Sequence, residues 1–311
     1  TVLALLYEPD EEITGEWATN PDVLAQGNPA ALEVPAIWGN LLEKRQRAIE
    51  LPGARENFLT KHCNIIYSGA ADEQFVSLDE LRKCRVDKID WTGMQVYAGV
   101  DLAMSNDNCA AAMVGVRADG KVAVKVMGFI PEGKIREKST LEKFDYTRAI
   151  REGECIACGE RIVDYSRIEN WVFDLDDDFG VYVAQVGYDR YNAISSAQKW
   201  EQGRPAGSRK PEHGGIETVE IRQHSDTLHA PTKLFCELVE SGRLVYEESR
   251  LFEVNVENAR CTYDTNMNRY INKKRSNGKV DCVMAVVDAL YLLQQNELLD
   301  ADGGGFVCQV G

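Results

Sequence analysis

From Met94 to Pro131 the chain is almost unbrokenly apolar, and it is punctuated twice, at Asp101–Asn108 and at Ala118–Lys121. No other feature constrains the fold as strongly. MQVYAGVDL (94–102) reads as a strand, and CAAAMVGVRADGKVAVKVMGFIP (109–131) as two more, with Asp119-Gly120 as the hairpin signal between them. Three consecutive strands predict a meander. The first of them stops on a carboxylate, Asp101. A later apolar strand, VYVAQVGYD (181–189), ends the same way on Asp189.

Helical patterns surround these strands. LEKFDYTRAIREG predicts a helix closed by Gly153, and RIENWVFDLDDDF (167–179) predicts another. TVEIRQ (218–223) is a shorter strand, and TLHAPTKLFCELVESGRL (227–244) is an amphipathic helix with Gly242 near its C-cap. VDCVMAVVDALYLLQQNELL (280–299) is a long apolar helix opened by Asp281. Residues 93–311 therefore predict an α/β domain. Residues 1–92 are richer in Pro, Asn, Glu and Trp, and carry helical patches at 36–51 and 77–86, the second with a Ser77/Glu80 capping-box pattern. They predict a mostly helical linker or subdomain.

Bulk properties exclude several classes. No run of about 18 apolar residues offers a membrane span, and the N-terminus lacks the basic region and cleavage site of an export signal. Nine cysteines without a framework pattern favour reduced thiols in a cytosolic compartment. The formal net charge of -15 argues against tight nucleic-acid binding by the whole surface, although it leaves room for a local basic face.

The carboxylates suggest chemistry. Ligands of α/β sheets bind in the crevice beyond strand ends. If the strands ending on Asp101 and Asp189 are parallel neighbours, these two side chains share that edge, and Asp281 on a helix packed against the sheet completes a set. Carboxylates brought together repel unless a cation holds them, and hard oxygen ligands suit Mg²⁺ or Mn²⁺. Phosphodiester hydrolysis is the reaction that needs such a site, with two ions about 4 Å apart activating water and stabilising the leaving oxygen.

In this order the motifs resemble the large terminase subunit of tailed bacteriophages, in its C-terminal ribonuclease H-like nuclease domain. GVDLAMSNDNCAA looks like that family's first strand, VGYDRYNA its second acidic motif and KVDCVMAVVDAL its third. NFLTKHCNIIYS and the Asn/Pro-rich region 20–30 are similar to the stretch between the ATPase and nuclease domains. The resemblance implies a ribonuclease H-like mixed sheet flanked by helices, with a preceding helical linker. It also implies a metal-dependent endonuclease that cuts double-stranded viral DNA during packaging, using two Mg²⁺ or Mn²⁺ ions held by Asp101, Asp189 and Asp281. Asp107 matches a recurrent acidic position and takes a secondary role. Asp288, seven residues and about 10 Å along the helix from Asp281, is the reserve ligand. Implied partners are the packaging ATPase domain, the small terminase subunit and the portal, in the cytoplasm of the bacterial host. No G-x-x-x-x-G-K-[ST] loop occurs, so this chain is expected to bind no ATP itself and to be the nuclease half plus linker, cut from a longer protein or encoded as a remnant.

The segment TNMNRYINKKRSNGKV (265–280) holds Arg269, Lys273, Lys274, Arg275 and Lys279 and no acid, and it runs directly into Asp281. With Arg190, beside Asp189, it predicts a strip that tracks DNA phosphates. Three other signals stay bland. DLDDDF lacks the glycine of a calcium loop, since Phe179 stands there. Cys155-Ile-Ala-Cys158 has no second pair to complete a zinc site. His213, His224 and His229 read as surface residues. Two rival functions remain: a non-catalytic packaging or docking module left by a decayed prophage terminase, and a phosphotransferase of the actin-like fold. The latter would need a Gly-Thr phosphate loop after Asp101, where Leu102-Ala103-Met104-Ser105 stands.

Overall fold

The computed structural model describes residues 6–50, 52–65, 74–103, 107–207 and 210–302. It divides into two compact units, Thr1–Asp72 and Glu73–Gly311. The first is helical, with helices Pro21–Gly27, Pro35–Glu50 and Pro52–His62. Asn20 caps the first of them, its side chain accepting from the Asp22 N–H at 2.9 Å. Val23, Leu24, Leu41, Phe58 and Leu59 form a small core.

The second unit is built on strands β1 (Arg85–Val86), β2 (Gln95–Asp101), β3 (Cys109–Val116), β4 (Val122–Ile130), β5 (Cys155–Ala157), β6 (Tyr182–Tyr188), β7 (Glu217–Glu220) and β8 (Leu244–Glu247), with a separate hairpin of β9 (Cys261–Tyr263) and β10 (Arg269–Ile271). The sheet order is β1-β8-β4-β3-β2-β6-β7, with β5 beside β4. β2, β3 and β4 form the expected antiparallel meander, and β6 joins β2 in parallel. Helices cover both faces, so the fold is the mixed α/β sandwich that the pattern predicts.

Side-chain alternation sorts β2 between two cores. Val96, Ala98 and Val100 face one helical layer, while Tyr97 faces the layer that contains the long helix Asp281–Asp302. Gly99 and Asp101 share the face of Tyr97. Gly99 has a physical function there. A Cβ on it would lie 2.1 Å from the Ala285 carbonyl oxygen and 2.7 Å from the Ala289 nitrogen. Gly187, its register partner in β6, meets Ile221, Leu292 and the Asp288 carbonyl in the same way. Two glycines thus let the last helix lie against the sheet backbone.

Several expectations are corrected. Residues 74–92, grouped by composition with the helical segment, fold with the sheet. Phe75 packs on Phe235 with ring centroids 4.7 Å apart, Leu81 is fully buried, and β1 pairs with β8. Ser77 takes the N-cap position of helix Leu78–Lys83, but its side chain makes no capping hydrogen bond. Of the stretch LEKFDYTRAIREG only Tyr146–Arg151 is helical; Leu141 closes a separate helix, Ile135–Leu141, and Lys143 between them adopts a positive φ of 52°. The amphipathic helix ends at Glu240 with Gly242 left-handed just beyond its cap, as expected, and Leu244, the last residue of the stretch read with it, opens β8. The basic segment 265–280 contains β10. No helix among the described residues is long and apolar enough to cross a membrane.

Candidate active site

The site builds outward from β2. Asp101 is its last residue and is buried to 8% exposure. Asp189 directly follows β6, one step beyond the register pair Val100 and Tyr188, so the parallel neighbours deliver both carboxylates to one edge of the sheet. Asp281 is the first residue of the last helix, where the helix dipole favours a negative charge. Asp288, two turns on, is 1% exposed, and its Cβ would stand 3.1 Å from a Cβ on Gly99. The close approach at this glycine therefore brings Asp288 to the strand that carries Asp101.

These groups feel one another. Burial pushes the Asp281 carboxyl up to about 7, and the charge of Asp101 adds to the shift. Burial pushes Asp288 well above the usual carboxylate range, opposed by a hydrogen bond from Gln223, with Asp101 and Asp189 adding to the upward shift. Asp101 thus interacts with both helix carboxylates, the preferred ligand and the reserve one alike.

A cation already stands among them. The Lys273 ammonium donates to Asp101 Oδ2 at 2.6 Å. Burial acts to lower its pKa, but Asp101, Asp281 and Asp288 outweigh it and hold the group above its ordinary value. Lys279 does the same beside Asp107, with which it forms an ion pair. Burial opposes its charge, and Asp281 and Asp107 raise its pKa. The Asp107 carboxyl is correspondingly lowered, Lys279 overcoming the effect of burial. Lys138, buried, approaches Asp107 Oδ1 at 3.2 Å and Glu142 Oε1 at 3.6 Å. The cluster is a chain of carboxylates interleaved with ammonium groups.

The predicted basic strip is therefore divided. Lys273 and Lys279 turn inward to carboxylates, because buried negative charge needs a partner. Arg269 is also tied down, donating to the Gln74 and Phe75 carbonyls and to Cys236 Sγ. Lys274, Arg275 and Arg190 are exposed.

Sequence reasoning missed Gln223, Lys138 and Glu142. Gln223 Nε2 donates to both Asp288 oxygens, at 3.0 and 3.3 Å, while its Oε1 is buried without a partner. Gln223 follows β7, which lies parallel to β6, so the rule that singled out Asp101 and Asp189 applies to it too. The bland readings also have addresses. Cys155 opens β5, and the described cysteines are all free and buried. His213 pairs with Asp176 at 3.1 Å.

A divalent ion can be tested against these residues. Their donors are all hard oxygens, their buried charges are mutually unfavourable, and an ammonium, that of Lys273, stands against Asp101. The donor chemistry fits Mg²⁺ or Mn²⁺. Among the described residues no three His, Cys, Asp or Glu side chains already converge closely enough to hold an ion. One oxygen of Asp101 is taken by the Lys273 ammonium at 2.6 Å.

Comparison with known proteins gives this arrangement a context. Residues 7–297 match the family model described as the terminase large subunit, endonuclease domain. The large terminase subunit of Enterobacteria phage HK97 is 22% identical over 247 residues, which cover 79% of this chain and 46% of that protein. The crystal structure of the HK97 large terminase superposes with a TM-score of 0.63 at 19% identity, over 93% of this chain and 57% of that one. The chain thus spans about half the length of these relatives. A large terminase nuclease from thermophilic phage G20c, solved with bound magnesium, aligns at a TM-score of 0.42 and 14% identity over 71% of this chain and 97% of that one, too loosely to carry an argument.

Proposed function

This chain belongs to the terminase large subunit endonuclease family, with a ribonuclease H-like fold, and from that premise we propose that it is a metal-dependent endonuclease cutting double-stranded viral DNA during genome packaging. The observation that carries the reading is the paired Gly-x-Asp ends of β2 and β6. They are parallel neighbours, and the helix that begins with Asp281 packs Asp288 against Gly99 of β2. Folds use strand ends to bind ligands, and carboxylates gathered there require a cation.

In this mechanism Asp101, Asp189, Asp281 and Asp288 would hold the Mg²⁺ or Mn²⁺ ions. Bound divalent ions supply Lewis-acid charge that activates water and neutralises the leaving oxygen. The chain's own contribution is positional. Gln223 fixes the Asp288 carboxyl through two hydrogen bonds. Asp101 is set at the end of a hydrogen-bonded central strand, which holds it in register with both neighbours. Lys274, Arg275 and Arg190, exposed near these groups in sequence, track the DNA backbone through its phosphates and carry no base readout. A packaging ATPase domain, a small terminase subunit and a portal would deliver the DNA, because a chain of net charge -15 has weak affinity for it alone.

The test is direct. Supercoiled plasmid incubated with the chain and Mn²⁺ should be nicked and then linearised, and chelation or Asp101→Asn should return cleavage to background. An intact plasmid at high protein concentration would sink the nuclease reading and leave the docking module in its place.

A further inference from the structure

We propose that Lys273 is a built-in counter-ion that occupies the cation position of the carboxylate cluster and must swing out for a divalent ion to bind. The inference rests on the metal-dependent reading above and adds a competitor to it.

Three observations carry it. The Lys273 ammonium lies 2.6 Å from Asp101 Oδ2, and its charge also acts on Asp281 and Asp288. It therefore occupies an oxygen of Asp101, the carboxylate that ends the central strand and that the proposed site needs for a metal ion. Second, its side chain keeps 45% of its exposure, while Asp101's keeps 10%. One partner is fixed and the other has open solvent to move into. Third, the backbone that carries Lys273 is anchored independently of this ion pair. The Asn272 carbonyl accepts from the Arg275 and Ser276 N–H groups at 3.0 and 3.1 Å, the Asn272 N–H donates to the Arg260 carbonyl at 2.8 Å, and the Ser276 hydroxyl accepts from the Arg260 N–H at 3.1 Å. Lys273 can leave by side-chain rotation alone, without unfolding its turn.

An ammonium and a divalent cation repel at close range, so the two cannot share the oxygen of Asp101. Without metal the lysine neutralises Asp101, a buried carboxylate that would otherwise lack a close cation. With metal it is freed toward solvent. Its long flexible stem suits this exchange better than a planar guanidinium would.

The experiment uses the full chain and Mn²⁺ alone, with no DNA. Mn²⁺ affinity is measured by calorimetry for wild type, Lys273→Met and Asp101→Asn. The proposal expects wild type to bind Mn²⁺, Asp101→Asn to lose that binding, and Lys273→Met to bind about tenfold more tightly, as befits removal of a close like charge. If wild type binds and Lys273→Met binds equally or more weakly, the counter-ion role is overturned and the metal reading stands. If neither binds, the metal reading falls and the competitor with it. A second readout needs no variant. Amine-directed acetylation followed by mass spectrometry should label Lys273 slowly in the metal-free chain and several-fold faster with Mn²⁺. Labelling that is unchanged or slower would overturn the proposal even if Lys273→Met failed to fold.

Discussion

At the scale of single residues, Asp281 and Asp288 set a pH dependence of stability. Both have folded-state pKa values raised by burial, Asp281 to about 7. Between the ordinary carboxylate value near 4 and that raised value, the folded chain binds protons that the unfolded chain has released. Stability contributed by such groups is therefore present at the acid end of this window and declines as pH rises through it. Thermal melts of the metal-free chain should show melting temperature falling from pH 5 to 7.5, with Asp281→Asn and Asp288→Asn each flattening the decline. Parallel profiles for variants and wild type would refute the assignment. The same residues show what was legible in the sequence. Asp101 and Asp189 announce themselves because a charged residue ending an apolar strand has few places to go. The case of Asp288 was not legible. Its distance along the helix from Asp281 argues for choosing between them, but the helix lies along β2, so Asp101 interacts with both.

At the scale of elements, the pair Gly99 and Gly187 fixes where the last helix lies. Gly99→Ala would drive a methyl carbon into the Ala285 carbonyl and the Ala289 nitrogen, backbone atoms that cannot rotate away. The cost belongs at the upper end of the roughly 1–3 kcal/mol of an overpacked core. A melting temperature lower by about 5–10 °C should follow, with loss of plasmid cleavage as Asp281 and Asp288 move off the strand. An alanine variant that melts like wild type would mean that the helix sits elsewhere. The meander was readable from its hairpin signal and alternation, and the last helix from its apolar run. What stayed hidden were short strands such as β1, β5 and β10, whose pairing depends on neighbours far away in the chain. Residues 74–92 hid for a related reason, since Phe75 and Leu81 are few among polar neighbours and bury only because the sheet provides a surface for them.

At the scale of the whole molecule, a chain of net charge -15 must bind a polyanion through a few exposed cations. With Lys273 and Lys279 paired to carboxylates in the metal-free chain, Arg190, Lys274 and Arg275 are the further cations that the predicted strip exposes to solvent. Replacing Lys274 and Arg275 by Gln should weaken binding to duplexes of unrelated sequence equally. It should also reduce the salt slope of log affinity by about 0.9 for each phosphate that is no longer neutralised. A sequence-dependent weakening, or an unchanged slope, would exclude these two as partners of the DNA backbone. The sheet that carries the carboxylates also has a far end. β3 runs eight residues from Cys109, beside the carboxylates, to Val116, about 24 Å away by strand rise. There Arg117–Lys121 closes in an exposed turn, with Gly120 at a φ of 77°. A fluorophore or affinity peptide grafted on that turn would ride the rigid hairpin that orients Asp101, out of reach of a substrate at the opposite edge. The molecule thus offers a natural handle by which its orientation on DNA can be watched.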